Sequence, residues 1–62
     1  MTARELEVLA LIAQGRSNEQ IASLLYISPK TASVHVSHIL TKLGASNRTE
    51  AAALARLRDL LE

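Results

Sequence analysis

Among its 62 residues the sequence has no cysteine, no tryptophan and no phenylalanine, one tyrosine (Tyr26) and one proline (Pro29). Without cysteine, neither a disulfide framework nor a thiolate zinc site can hold so short a chain together, so packing alone must stabilise it. With so few aromatic rings the core has to be aliphatic, and rows of aromatic platforms for stacking single-stranded nucleic acid are excluded. Long apolar runs are absent, which excludes a transmembrane span, and no basic segment leads into an apolar one as in a secretory signal. A soluble, cytoplasmic chain with no membrane contact is expected. Its length allows one core, hence a single domain over residues 1–62.

Negative charge is missing from the middle of the chain. The net charge is only +1, but the six acids are Glu5, Glu7, Glu19, Glu50, Asp59 and Glu62, so no carboxylate falls between Gln20 and Thr49. That stretch holds Lys30, Lys42, Arg48, His35 and His38. A locally basic segment is what a polyanion would require, although a solvated face can look the same.

Turn and cap residues divide the chain into four helices. Thr2 with Glu5 forms a capping box, and Leu6, Leu9, Ala10 and Ala13 follow at helical spacing up to Gly15, which predicts a helix over about Ala3–Gln14. Ser17 or Asn18 caps a second, short helix that ends near Leu25 or Tyr26 and buries Ile21, Ala22, Leu24 and Leu25. Ser28-Pro29 is a strong start signal, because proline has no amide to lose at the first helical position, and the third helix runs over Pro29–Leu43 to Gly44. Asn47 with Glu50 starts a fourth helix, rich in alanine and leucine, that runs close to the C-terminus. The expected fold is all-α.

The third helix carries the most information. At about 100° per residue, Ala32, Val36, Ile39, Leu40 and Leu43 form one apolar stripe suited to a core. The opposite side presents Lys30, Val34, Ser37, His38 and Thr41, with Thr31 and Lys42 flanking one edge and Ser33 nearer the other. None of these is acidic and most are small, whereas a solvated helix usually pairs Glu with Lys along its length. Val34 sits amid this polar face, where it is either an isolated surface valine or a methyl contact for thymine in the major groove.

A short helix, a tight connection through Tyr26, Ile27 and Ser28, and a helix with a small polar face make a helix-turn-helix. The usual geometry places the N-terminal half of the second of these helices in the major groove of double-stranded DNA. Lys30, Thr31, Ser33, Val34, Ser37 and His38 are the residues it would present there. Helix N-termini in the same unit would aim free amides at phosphates.

These residues carry a family resemblance. The chain closely resembles the LuxR-type (GerE or FixJ type) DNA-binding domain of bacterial transcription regulators. The match runs through Thr2-Ala3-Arg4-Glu5, Glu7-Val8-Leu9, Ile12-Ala13-Gln14-Gly15, Ser17-Asn18, Ile21-Ala22, Ile27-Ser28, Lys30-Thr31, Val34-His35-Val36, Ile39-Leu40, Lys42-Leu43-Gly44 and Asn47-Arg48-Thr49-Glu50-Ala51. The resemblance implies a four-helix unit without a wing, with the third helix as recognition helix and Thr31, Ser33, Val34, Ser37 and Lys42 at positions similar to the family's DNA contacts. It also implies a homodimer assembled on DNA through the last helix, with RNA polymerase as a further candidate partner. Many members carry valine and lysine where this chain has Ala32 and Ser33. Serine cannot donate bidentately to guanine, so no guanine-reading contact carries over to that position.

The remaining polar residues have two readings each. His35 serves either a structural hydrogen bond or a phosphate, and Arg48 is either a phosphate clamp or a partner of Glu50. His35 and His38, three apart with no third ligand beside them, are a weak metal signal, so no metal and no cofactor is expected. Glu5 and Glu7 suit helix starts, and without a nucleophile, a phosphate-binding glycine loop or a carboxylate pair no enzyme is expected. On the fourth helix Ala51, Leu54 and Leu61 point to the core, while Ala52, Ala53, Arg56 and Leu60 form the expected dimer face. Competing readings are sigma-factor region 4-like promoter recognition and a helical module that binds protein only. The chain is expected to be the C-terminal part of a longer regulator, behind a receiver, ligand-binding or ATPase domain.

Overall fold

Each helix starts on a side-chain oxygen that takes up one of the orphan amides of the first turn. In the computed structural model, which describes residues 1–61, α1 (Ala3–Ala13) is capped by Thr2, α2 (Asn18–Leu25) by Ser17, α3 (Pro29–Leu43) by Ser28 and α4 (Arg48–Leu57) by Asn47. Full capping boxes close at both Thr2–Glu5 and Ser17–Gln20. At α4 the box is altered: Asn47 Oδ1 accepts the Glu50 amide at 2.8 Å, but the Glu50 carboxylate accepts from the N–H of Ser46. No strand occurs among the described residues, so the fold is all-α.

The helices also end alike. Gly15, Tyr26, Gly44 and Asp59 adopt left-handed backbone, and the residue after each donates its N–H to the carbonyl five positions back, at 2.8–3.1 Å. Glycine takes this conformation freely; an L side chain is disfavoured there by about 1–2 kcal/mol. Tyr26 and Asp59 are therefore the two unexpected ends. The reversal at Asp59 stops α4 at Leu57 rather than near the C-terminus, and it folds Leu61 back against the core.

Eleven residues make the central cluster: Val8, Leu9 and Ile12 of α1, Ile21 and Ala22 of α2, Ala32, Val36, Ile39 and Leu43 of α3, and Ala51 and Ala55 of α4. α3 lies in the middle and packs against the other three helices, while α4 rests on α1. The buried stripe of α1 is Glu5, Val8, Leu9 and Ile12, whereas Leu6 is exposed and Ala10 and Ala13 are half-buried. Apolar residues cover more than half of this helix, so spacing admits two neighbouring stripes, and the one bearing the bulkier Val8 and Ile12 faces inward. Leu24 of α2 is exposed and Leu40 of α3 half-buried, both at the margins of their stripes.

Two arginines, one on α4 and one at its end, tie the unit together. Arg56 donates to the carbonyl of Ala13 at 3.1 Å and Arg58 to that of Leu43 at 3.3 Å, so each places a cation at the negative C-terminal end of another helix. α1 has no basic residue in its own last turn; α4 supplies one through space.

Candidate nucleic-acid interface

The interface is built around the side of α3 that the core leaves free. Because Ala32, Val36, Ile39 and Leu43 turn inward, Lys30, Thr31, Ser33, Val34, Ser37, His38, Thr41 and Lys42 are all exposed. Val34 keeps 45% of its surface in solvent, in the middle of this polar face. The two main surface grooves are lined by residues of α1, the α1–α2 loop, α4 and Leu61, and by none of α3. The candidate site is thus a convex helix face outside both grooves.

Local bonding decides what each side chain can still offer. Ser28 Oγ accepts the Thr31 amide at 3.1 Å and donates its own proton to Thr31 Oγ1 at 2.9 Å, which leaves the Thr31 hydroxyl proton free for a phosphate or base acceptor. Thr41 donates to the Ser37 carbonyl at 3.1 Å, so its hydroxyl is engaged with its own helix while the Ser37 hydroxyl projects outward. Among the described residues no carboxylate pairs with Lys30, which carries its charge in the first turn of α3.

Two residues of the expected DNA-binding set, Lys42 and Arg48, also bond within the domain. Lys42 Nζ lies 2.8 Å from Glu5 Oε1, in an ion pair that joins the last turn of α3 to the first turn of α1. Glu5 is only 5% exposed and also accepts the Thr2 amide. The Lys42 hydrogen bond, then that of Thr2, holds the Glu5 carboxyl below the usual carboxylate range, at about 2, against the opposing effect of burial. Arg48 does not pair with Glu50. Its half-buried guanidinium donates to Asn18 Oδ1 and to the Arg16 carbonyl, clamping the start of α4 to the start of α2.

His35 is half-buried and His38 exposed, and among the described residues no three His, Cys, Asp or Glu side chains gather as a metal site. None of the described helices is long and apolar enough to cross a membrane.

On α4 the four residues of the expected dimer face differ in exposure. Ala52 is buried, at the margin of the inward side that centres on Ala51 and Ala55. Arg56 is drawn toward α1 by the Ala13 carbonyl. Ala53 and Leu60 remain exposed, and between them stands Leu57, 83% exposed, which the spacing had not singled out. Ala53 and Leu57 fall at i and i+4 on the outer side of α4, while Leu60 lies beyond the helix end, past the left-handed Asp59.

Fold and surface together define a helix-turn-helix domain with α3 as its presented helix. Residues 1–55 match the family described as bacterial regulatory proteins, luxR family, and the chain belongs to that family: it is a DNA-binding domain of a transcription regulator. It is 46% identical over 61 residues to the transcriptional regulatory protein LiaR of Bacillus subtilis, covering 98% of this chain and 29% of that protein. To the response regulator protein VraR of Staphylococcus aureus it is 47% identical over 62 residues, covering 100% of this chain and 30% of that protein. The crystal structure of the response regulator ChrA, from a heme-sensing two-component system, superposes with a TM-score of 0.93 at 47% identity, over 97% of this chain and 30% of that one. The chain therefore spans somewhat less than a third of the relatives it matches.

Proposed function

We propose that α3 enters the major groove of double-stranded DNA and that Val34, Ser33 and Ser37 face base edges while Lys30, Thr31 and His38 meet the sugar-phosphate backbone. The observation that carries this is the acid-free outward face of α3, with Val34 exposed at its centre, where its methyl groups can meet that of thymine. Lys42 and Arg48 act chiefly inside the domain, orienting α3 and α2. The domain binds and does not catalyse, and it takes no cofactor. It would work in the cytoplasm, as the C-terminal part of a longer regulator.

Two copies pair on DNA through the outer side of α4, Ala53 and Leu57, with Leu60 just past its end, which places two recognition helices in successive major grooves and calls for an inverted repeat with half-site centres about 10 bp apart. RNA polymerase is the further partner through which the bound dimer would change transcription. Selection of bound duplexes from a random pool tests the whole assignment at once. Enrichment of an inverted repeat is expected; recovery of no preferred sequence would overturn sequence-specific recognition.

A further inference from the structure

The only aromatic residue of the chain is spent on the surface. Tyr26 is 96% exposed, and it holds the left-handed turn between α2 and α3 at φ 57° and ψ 42°, where the other two central helix ends use glycine. Ile27 and Leu25 on either side are half-buried and anchor the turn, and the N–H groups of Tyr26 and Ile27 close it on Ser23 and Ala22. The ring therefore projects from a firmly held backbone and contributes nothing to the core. A glycine would serve the turn better.

From this we infer that Tyr26 is a DNA-backbone contact, its ring lying along a deoxyribose and its hydroxyl donating to a phosphate oxygen, which rests on the DNA-binding role proposed above. Position favours this partner. Tyr26 precedes the α3 cap, Ser28, by two residues, at most about 7 Å of chain, so the turn that carries the ring adjoins the helix end that presents Lys30 and Thr31. It also lies within the stretch from Gln20 to Thr49 that carries no carboxylate, which suits a polyanion better than a basic protein surface. Tyrosine hydroxyls are among the groups that position proteins on phosphates without reading sequence.

The test pairs folding with binding on the full chain. Tyr26→Gly, with Tyr26→Asn as a second variant that tolerates the left-handed turn, should melt at the same temperature as the unaltered chain or a few degrees above it. Its affinity for a labelled random-sequence duplex, read by fluorescence anisotropy, should fall about 3- to 10-fold. Tyr26→Phe should lose a smaller factor. Because a neutral hydroxyl releases no counterion, the slope of log affinity against log salt should not change in any of these variants, whereas Lys30→Ala should flatten it. If the unaltered chain binds no duplex, the DNA-binding role itself falls. If it binds and Tyr26→Gly binds equally well, the inference about Tyr26 alone is overturned and the ring belongs to a protein contact.

Discussion

Lys42 and Glu5, 37 positions apart in sequence, meet at 2.8 Å and fasten the C-terminal turn of the recognition helix to the capping box of α1. Glu5 Oε1 takes a proton donor from each side, the Lys42 ammonium and the Thr2 amide, so one carboxylate oxygen serves both a helix cap and a tertiary tie. A lysine that reads from its position as a phosphate contact thereby also holds a structural ion pair.

A pH dependence follows. The Glu5 carboxyl titrates at about 2 in the fold against 4.5 ordinarily, so the unfolded chain binds the proton more readily than the folded one. The stabilisation is complete above about pH 4.5 and is lost as pH falls through the folded value near 2. Thermal melts over that range should show a declining Tm, and Glu5→Gln should flatten the decline while lowering Tm at neutral pH. Lys42→Ala should also lower Tm at neutral pH. An unchanged acid profile in Glu5→Gln would assign the decline to other carboxylates.

Three neighbours on α3 separate core from surface. Ile39 is fully buried, Leu40 half-buried and Thr41 exposed. Ile39→Ala should cost about 2–5 kcal/mol, enough to unfold a domain this small. Leu40→Ala should cost less than Ile39→Ala, and Thr41→Ala should stay within about 0.5 kcal/mol of the unaltered chain. Denaturant titrations that rank Leu40 above Ile39 would mean that α3 is rotated from the orientation described.

How far the sequence alone could lead is visible at particular residues. Starts were legible, because Thr2, Ser28-Pro29 and Asn47 are local chemistry; α3 has the bounds that Ser28-Pro29 and Gly44 announce. The end of α4 was not, because it depends on Asp59 taking a left-handed backbone that nothing local demands of an aspartate. The outward face of α3 was legible from periodicity alone. The inward faces of α1 and α4 were not, since Leu6 competes with Val8, and Ala52 with Ala53, and only the neighbouring helix decides which is covered. Partners distant in sequence were out of reach: no spacing rule joins Lys42 to Glu5, Arg48 to Asn18 or Arg56 to Ala13.

Binding variants should divide by charge and shape. Ser37→Glu should abolish gel shifts of the selected duplex while its melting temperature stays close to that of the unaltered chain, since it sets a carboxylate against phosphate and base acceptors. Val34→Ala should weaken that duplex more than a mismatched one. Lys30→Ala should reduce affinity for all duplexes alike and lower the salt slope by about 0.9. Lys42→Ala, its charge already matched by Glu5, should leave the slope nearly unchanged. A loss of about one unit of slope on removing Lys42 would show that its half-exposed ammonium exchanges Glu5 for a phosphate.

The ridge on α4 makes the last expectation specific. Leu57 is the most exposed leucine of the chain and lies one turn after Ala53, so a second α4 laid against it in two-fold fashion would cover both residues in both copies at once. The area is small for an independent dimer, and pairing should therefore depend on DNA holding the two copies together. Leu57→Glu removes no core contact, so the fold and the affinity for one half-site should survive. Side by side on an inverted repeat, two such chains would oppose carboxylates across the axis, and cooperative occupancy of the paired half-sites should disappear. Quantitative footprinting on a full operator and on a single half-site reads both quantities. Cooperativity that persists in Leu57→Glu would move the two-fold contact off α4 and leave the leucine ridge as a seat for another part of the regulator.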